Sequence, residues 1–396
     1  MDRRRPRLIA AALATVLLAA CGQPADPGES TAAAPGPATT TPSPAPEPRS
    51  ISVVATGDVL LHERLWNQAR EDAATTGAPE MDFAPMLDPI RPLVESADLA
   101  ICHLEVPLAP AGGPYRGYPS FSGPPQVLDG LVATGYDACT TGSNHTFDAG
   151  GEGVDRTLAA LDAAGLAHAG SARTPEEAAA PSLVTVDTEH GAVTVGLLSY
   201  TYGFNGVPYP GGDEWRANVI DEQRILVDAA AARAAGAEVV VVAMHWGTEY
   251  DQEPNAEQLD LAPRLIASPD VDLLLGHHAH VVQPLEQVGG EWVVYGLGNL
   301  MAAHRTPGEA RSEGLLVRVE LTEQPDGTFT PSGAGYAPLL VTDDFPVRVL
   351  DVGRALATGD HGTAGEARLR TAWDRTTSVV ESRGGVAAGL QPLSLP

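Results

Sequence analysis

Gly276-His277-His278-Ala279-His280 puts three imidazoles into four consecutive positions. Neutral imidazole is the commonest nitrogen ligand for transition ions, and it is equally at home in a solvated loop. The neighbouring chemistry separates the two readings. Asp58 follows the apolar run Ser52-Val53-Val54-Ala55-Thr56, and Glu105 closes Ile101-Cys102-His103-Leu104. Asn144 and His145 come just after the run 137–141, and His245 ends the run 237–244. Each alone is an ordinary turn or cap former. Ligand chemistry at five successive strand ends is an oxygen and nitrogen donor set, suited to Mn, Fe or Zn and lacking the thiolates of a structural zinc knot.

Side chains spread from residue 58 to residue 280 meet only if the fold gathers strand ends. The apolar runs alternate with alanine-rich helical patterns at 153–164, 221–235 and 256–267, which predicts an α/β domain. In open α/β sheets, ligands bind beyond the carboxyl ends of the strands. Two hairpin patterns, 183–187 with 193–199 and 281–288 with 292–295, predict a mixed sheet system. One domain is expected over 51–345. A C-terminal extension, 346–396, would carry a loop and a closing helix within 353–383. Cys102 and Cys139 each sit in a buried-strand pattern, and both a disulfide and two buried thiols fit them.

Residues 1–21 read as an address. Arginines at 3, 4, 5 and 7 precede an apolar stretch, 8–20, that falls short of the ~20 residues a membrane-spanning helix needs. Leu18-Ala19-Ala20-Cys21 looks like a bacterial lipobox, in which cleavage precedes Cys21 and its sulfur carries the lipid. Residues 22–50, rich in Pro, Ala and Thr, predict a disordered linker. Together they predict a protein held by lipid at the outer face of the bacterial cell membrane. A net charge of -27 argues against nucleic acid as a partner. Every basic residue is arginine, which excludes a Walker A lysine, a Schiff-base lysine and a lysine general base.

Six segments occur in order: Gly57-Asp58, His103-Leu104-Glu105-Val106-Pro107, Ser143-Asn144-His145-Thr146-Phe147-Asp148, His245-Trp246-Gly247-Thr248-Glu249-Tyr250, Gly276 to Gln283, and Tyr295-Gly296-Leu297-Gly298-Asn299. They resemble the successive motifs of the CapA family of poly-γ-glutamate capsule synthesis proteins, in the metallophosphatase (calcineurin-like phosphoesterase) superfamily. The resemblance covers about 51–340. It implies a metallophosphatase-like two-sheet sandwich flanked by helices, with two divalent metal ions (Mn, Fe or Zn) at one edge. Carried over, Asp58 and His280 would hold one ion, Asn144, His245 and His278 the other, and Glu105 would bridge them. The superfamily's first-strand Asp-x-His is broken here by Leu60, with His62 a weak substitute, and His277 reads as variable.

Two such ions can activate water and clamp a phosphoryl group. His145 is placed to protonate the leaving oxygen, and Asp148 to orient it. Asn205, Glu249, Gln283 and Asn299 are expected on loops at the same edge, positioning substrate. The expected function is a surface lipoprotein that hydrolyses phosphoesters in capsule or poly-γ-glutamate synthesis or export, with an anionic extracellular polymer or a phosphoester as its substrate. One alternative is a non-catalytic metal-binding scaffold for such a polymer or its export machinery. The other is a surface nucleotidase-like phosphomonoesterase, which would want an aromatic clamp for the base; Phe204, Tyr209 and Trp215 are the candidates, and a core or rim role fits them better.

Overall fold

A computed structural model describes residues 47–303 and 310–393. The leader, Cys21 and nearly all of the linker lie outside the described residues. Strands β1 (Ser50–Val59), β2 (Leu99–Leu104), β3 (Ala138–Thr140) and β4 (Ala167–Ala169) run parallel, side by side. The chain then builds a second sheet from β5 (Ser182–Thr188), β6 (Gly191–Thr201), β7 (Val239–His245), β8 (Leu273–His277), β9 (Leu285–Val288) and β10 (Glu291–Val294). Its order is β5-β6-β7-β8-β10-β9. The first sheet is completed by β11 (Asn299–Met301), β12 (Glu313–Glu323), β13 (Phe329–Val341), β14 (Val349–Asp351) and β15 (Leu390–Pro392). That sheet runs β14-β13-β12-β1-β2-β3-β4, with β11 against β1 and β15 against β13. Parallel and antiparallel pairs coexist in both sheets.

The alternation of strand side chains builds the layers. Ile51, Val53 and Ala55 of β1 meet Val239 and Val241 of β7 and Leu273 and Leu275 of β8 in one apolar cluster between the sheets. The opposite faces bury elsewhere. Val54, Ala100 and Leu104 pack under helices carrying Leu65, Leu128 and Leu158. Val240, Val242 and Leu274 pack under Ile225, Ala229, Leu261 and Leu265. Strands covered on both faces read as unbroken apolar runs, and every residue of β7 is buried. Each fully buried Val, Leu or Ile contributes about 1.5–3 kcal/mol. The result is the expected α/β sandwich of two sheets flanked by helices.

The helices expected at 221–235 and 256–267 form as Glu222–Ala234 and Ala256–Ile266. Asp221 caps the first by accepting from the Arg224 N–H, and Asn255 with Gln258 forms a reciprocal capping box on the second. The second expected hairpin is shorter than its pattern. β9 starts at Leu285, because Pro284 has no N–H to give a ladder and the Gln283 N–H is taken by the Gly296 carbonyl. The C-terminal segment forms two helices, Val352–Thr358 and Glu366–Val380, and adds β14 and β15 to β13. Cys102 and Cys139 are register partners on β2 and β3, 4.5 Å apart at Cα, with their sulfurs bonded. Among the described residues, no helix is long and apolar enough to cross a membrane.

Candidate metal centre

Three strands deliver imidazoles by simple alternation. Leu99 and Ile101 point between the sheets, and His103 is the next residue on that face of β2. Val239 and Val241 lead in the same way to His245, and Leu273 and Leu275 to His277. Where the apolar layer ends, these rings continue it. His103 stacks on His277 with centroids 4.0 Å apart and on His245 at 5.0 Å. Two glycines let the backbones close around this point. A Cβ on Gly57 would lie 2.1 Å from the Gly298 carbonyl oxygen, and one on Gly276 would lie 1.8 Å from that of Tyr295.

The polar cluster sits on that stack. Asp58, fully buried, accepts from His277 Nδ1 at 2.9 Å and from the His278 N–H at 3.2 Å. His245 Nε2 lies 2.9 Å from Asn144 Oδ1, and Asn144 Nδ2 donates to Asn205 Oδ1 at 3.3 Å. The Tyr202 hydroxyl donates to the same Asn205 oxygen at 3.0 Å, so Asn205 turns the Asn144 carbonyl toward His245. Glu105 Oε1 is 3.6 Å from His280 Nε2 and 3.9 Å from His245 Nε2. Among the described residues neither Glu105 oxygen has a hydrogen-bond partner, although Glu105 is only 1% exposed, and His278 Nδ1 is likewise buried without one. Unpartnered buried polar atoms are costly and uncommon. Donors around an ion with bonds of about 2.0–2.2 Å stand about 3.4 Å apart in a tetrahedron, close to these separations.

Proton placement fits the same reading. If His245 Nδ1–H donates to His103 Nε2 (3.0 Å), then His103 Nδ1–H donates to Thr140 Oγ1 (2.8 Å), and His245 Nε2 keeps its lone pair. His280 Nδ1–H can donate to Asn299 Oδ1 at 3.1 Å, which leaves Nε2 toward Glu105. A ligating imidazole that gives its other N–H to a partner is the usual arrangement. Burial pushes His245 and His103 well below the ordinary histidine range, so both are neutral. Burial also raises Glu105, to about 7. His278 and His280 have left-handed backbones, φ 85° and 55°, a conformation that costs non-glycine residues and concentrates at functional sites. Asp58, Glu105 and His280 form one ligand group, and Glu249, His278 and His280 another.

His145 lies beside the cluster, 7% exposed, with Nδ1 2.7 Å from Asp148 Oδ2. Burial alone would lower it, but the Asp148 hydrogen bond and the Glu105 charge prevail and hold it above the usual histidine range. The same Asp148 oxygen accepts the Phe121 N–H at 2.7 Å, and the Phe121 ring meets His145 edge-on at 4.8 Å.

Several expected roles change. Gln283 is fully buried; it accepts from Gln258 Nε2 and donates to the Asp251 and Glu253 carbonyls, so it closes a loop and faces no substrate. Asn299 is also fully buried and acts on His280, whose ring it fixes, while its Nδ2 donates to the His280 and Arg311 carbonyls. His277, read as variable, is a buried partner of Asp58. His62 Nδ1 sits against the Leu60 carbonyl and the Ala303 N–H, and His62 belongs to none of the ligand groups among the described residues. Phe204 and Tyr209 pack on Phe147 at 4.5 and 5.6 Å, and Trp215 lines a separate cavity with Arg173 and Ser182, so the three make no clamp. His103 carried no role in the motif reading. The signal for it was a histidine at a core-facing strand position.

Residues 52–304 match the family described as "Bacterial capsule synthesis protein PGA_cap". Over 166 residues the chain is 28% identical to the PGA biosynthesis protein CapA of Bacillus subtilis (strain 168), covering 42% of each protein. It is 26% identical over 181 residues to the capsule biosynthesis protein CapA of Bacillus anthracis, covering 44% of this chain and 42% of that one. These alignments thus span less than half the length of either relative. Among solved structures, the calcineurin-like phosphoesterase YfkN from Bacillus subtilis superposes with a TM-score of 0.44 at 16% identity, covering 82% of this chain and 99% of that chain. The family match takes in well over half of the sequence and every strand end from Asp58 to Asn299, so the chain belongs to the bacterial capsule synthesis protein family, PGA_cap.

Proposed function

We propose that this chain is a dinuclear-metal-dependent phosphoester hydrolase, lipid-anchored through Cys21 at the outer face of the membrane, that acts in the synthesis or export of an anionic capsule polymer of the poly-γ-glutamate kind. The observation that carries the metal reading is the Glu105 carboxylate, buried with both oxygens unpartnered among the described residues, grouped with Asp58 and His280 and 3.9 Å from His245 Nε2. Asp58, Glu105 and His280 would hold one ion, and Glu105, Asn144, His245 and His278 the other. A bound pair of divalent ions supplies Lewis-acid polarisation of a phosphoryl oxygen and activation of water. This chain's own residues do the rest. The Asp148 hydrogen bond and the Glu105 charge raise His145 above its ordinary range, which favours the protonated form that would give a proton to the leaving oxygen. Asp148 accepts from Nδ1, which leaves Nε2 as the donating atom, and by also holding the Phe121 N–H it fixes that loop beside His145.

The nucleotidase reading gains no support, because Phe204 and Tyr209 are packed against Phe147, the core or rim role that the sequence favoured for them. The test pairs metal content by mass spectrometry with hydrolysis of a chromogenic phosphodiester, for the wild type and for His278→Ala/His280→Ala. About two equivalents and turnover in the wild type, both lost in the double variant, are expected. No metal after reloading with Mn, Fe and Zn would sink the proposal. Two equivalents without turnover on monoesters or diesters would favour the scaffold.

A further inference from the structure

On the partition proposed above the two ions are unequally served: Glu105, Asn144, His245 and His278 would offer four protein donors to one, and Asp58, Glu105 and His280 three to the other. Leu60, two residues after Asp58, is packed in the apolar core and contributes no donor. A carboxylate oxygen of Glu249 and ring nitrogens of His278 and His280 all lie within 4.8 Å of one another.

We propose that Glu249 is itself a metal ligand of this centre, the carboxylate donor that stands with His278 and His280; this rests on the metal centre proposed above. Three further observations support it. His278, a member of this group, has its Nδ1 buried without a hydrogen-bond partner among the described residues, so its ring is free to serve an ion. The loop is pinned: Tyr250 adopts a left-handed backbone, φ 66°, and its N–H donates to the Ala279 carbonyl at 2.7 Å, tying the residue after Glu249 to the turn between the two histidines. Charge points the same way. A third carboxylate beside Asp58 and Glu105 repels an anionic substrate unless cations neutralise it, and three carboxylates against two divalent ions leave a net positive centre.

The test is cobalt titration of the full chain, comparing the wild type with Glu249→Gln, which keeps the shape and removes the charge. Glu249 is exposed on a loop, so the variant is expected to fold. Expected is a weakening of one of the two equivalents by about tenfold or more, as for other changes close to a bound metal, with a change in the visible cobalt absorption that reports coordination number. Unchanged affinity would overturn the proposal. So would a uniform weakening of both equivalents with an unaltered spectrum, which would assign Glu249 to through-space charge. A wild type that takes up no cobalt would remove the metal centre and this ligand together, whereas two equivalents of equal affinity in both proteins would remove the ligand alone.

Discussion

At the scale of single residues, the site depends on which nitrogen of each imidazole carries its proton. His103 is the clearest case: buried and neutral, it lies between His245 Nδ1 and Thr140 Oγ1. Replacing it by alanine leaves His245 free to take the wrong tautomer. His103→Ala is therefore expected to weaken metal binding about 10- to 100-fold, measured by chelator competition, and His103→Gln should recover part of the loss. Equal metal affinity in the alanine variant would remove His103 from this role. Protons set a second expectation. Burial holds Glu105 up to about 7, and the Glu105 and Asp58 carboxylates hold His280 above its ordinary range although burial alone would lower it. Near neutrality the metal-free pocket thus retains protons that an incoming ion must displace. Because the metal-free state binds more protons, metal affinity rises with pH through about 7 and falls below it. Calorimetry in two buffers of different ionisation heat would detect the released protons; the same apparent heat in both would contradict this.

At the scale of strands and turns, the candidate ligands stand where they do because backbones approach unusually closely. Gly276 precedes the histidine turn, and any Cβ there collides with the Tyr295 carbonyl. Gly276→Ala must push β8 from the segment after β10, at a cost of about 1–3 kcal/mol or more. The shift also moves His277, His278 and His280, so stability and metal content should fall together. Denaturant melts beside metal analysis would show it, and a variant that melted earlier yet kept its metal would separate the two. This scale was also the most legible in the sequence. Asp58, Glu105, Asn144 and His245 each follow an apolar run, and that placement was readable because parallel strands covered on both faces are apolar almost throughout. What local pattern could not reveal was pairing at a distance. β12 lies antiparallel on β1 across more than 250 residues, and the two strands after residue 345 add to β13. Nor does a motif say which way an amide turns. Gln283 and Asn299 sit in segments rich in site residues, yet both are spent inside the protein. His103 and His277 were accessible by counting every second residue from Leu99 and Leu273.

At the scale of the whole molecule, the centre straddles the sandwich. Asp58, Glu105 and Asn144 come from the strand ends of the first sheet, and His245, His278 and His280 from those of the second. The two sheets are otherwise joined at this edge by imidazole stacking and a few hydrogen bonds, among them His277 to Asp58 and His103 to His245. Ions held here would cross-link the layers and relieve the repulsion between two buried carboxylates in a protein of net charge -27. Ligand binding to the native state alone stabilises it by about 2.7 kcal/mol when free metal is a hundredfold above Kd. Chelation should therefore lower Tm by several degrees, and added Mn or Zn should restore it. His278→Ala/His280→Ala gives the control, since its Tm should no longer respond to chelator. The global charge offers a competing cause, because any divalent ion screens an acidic surface. Magnesium sulfate at matched ionic strength separates the two: if it restored Tm as well as micromolar Mn or Zn, and did so in the double variant too, the stabilisation would belong to the surface and not to a cross-link between the sheets.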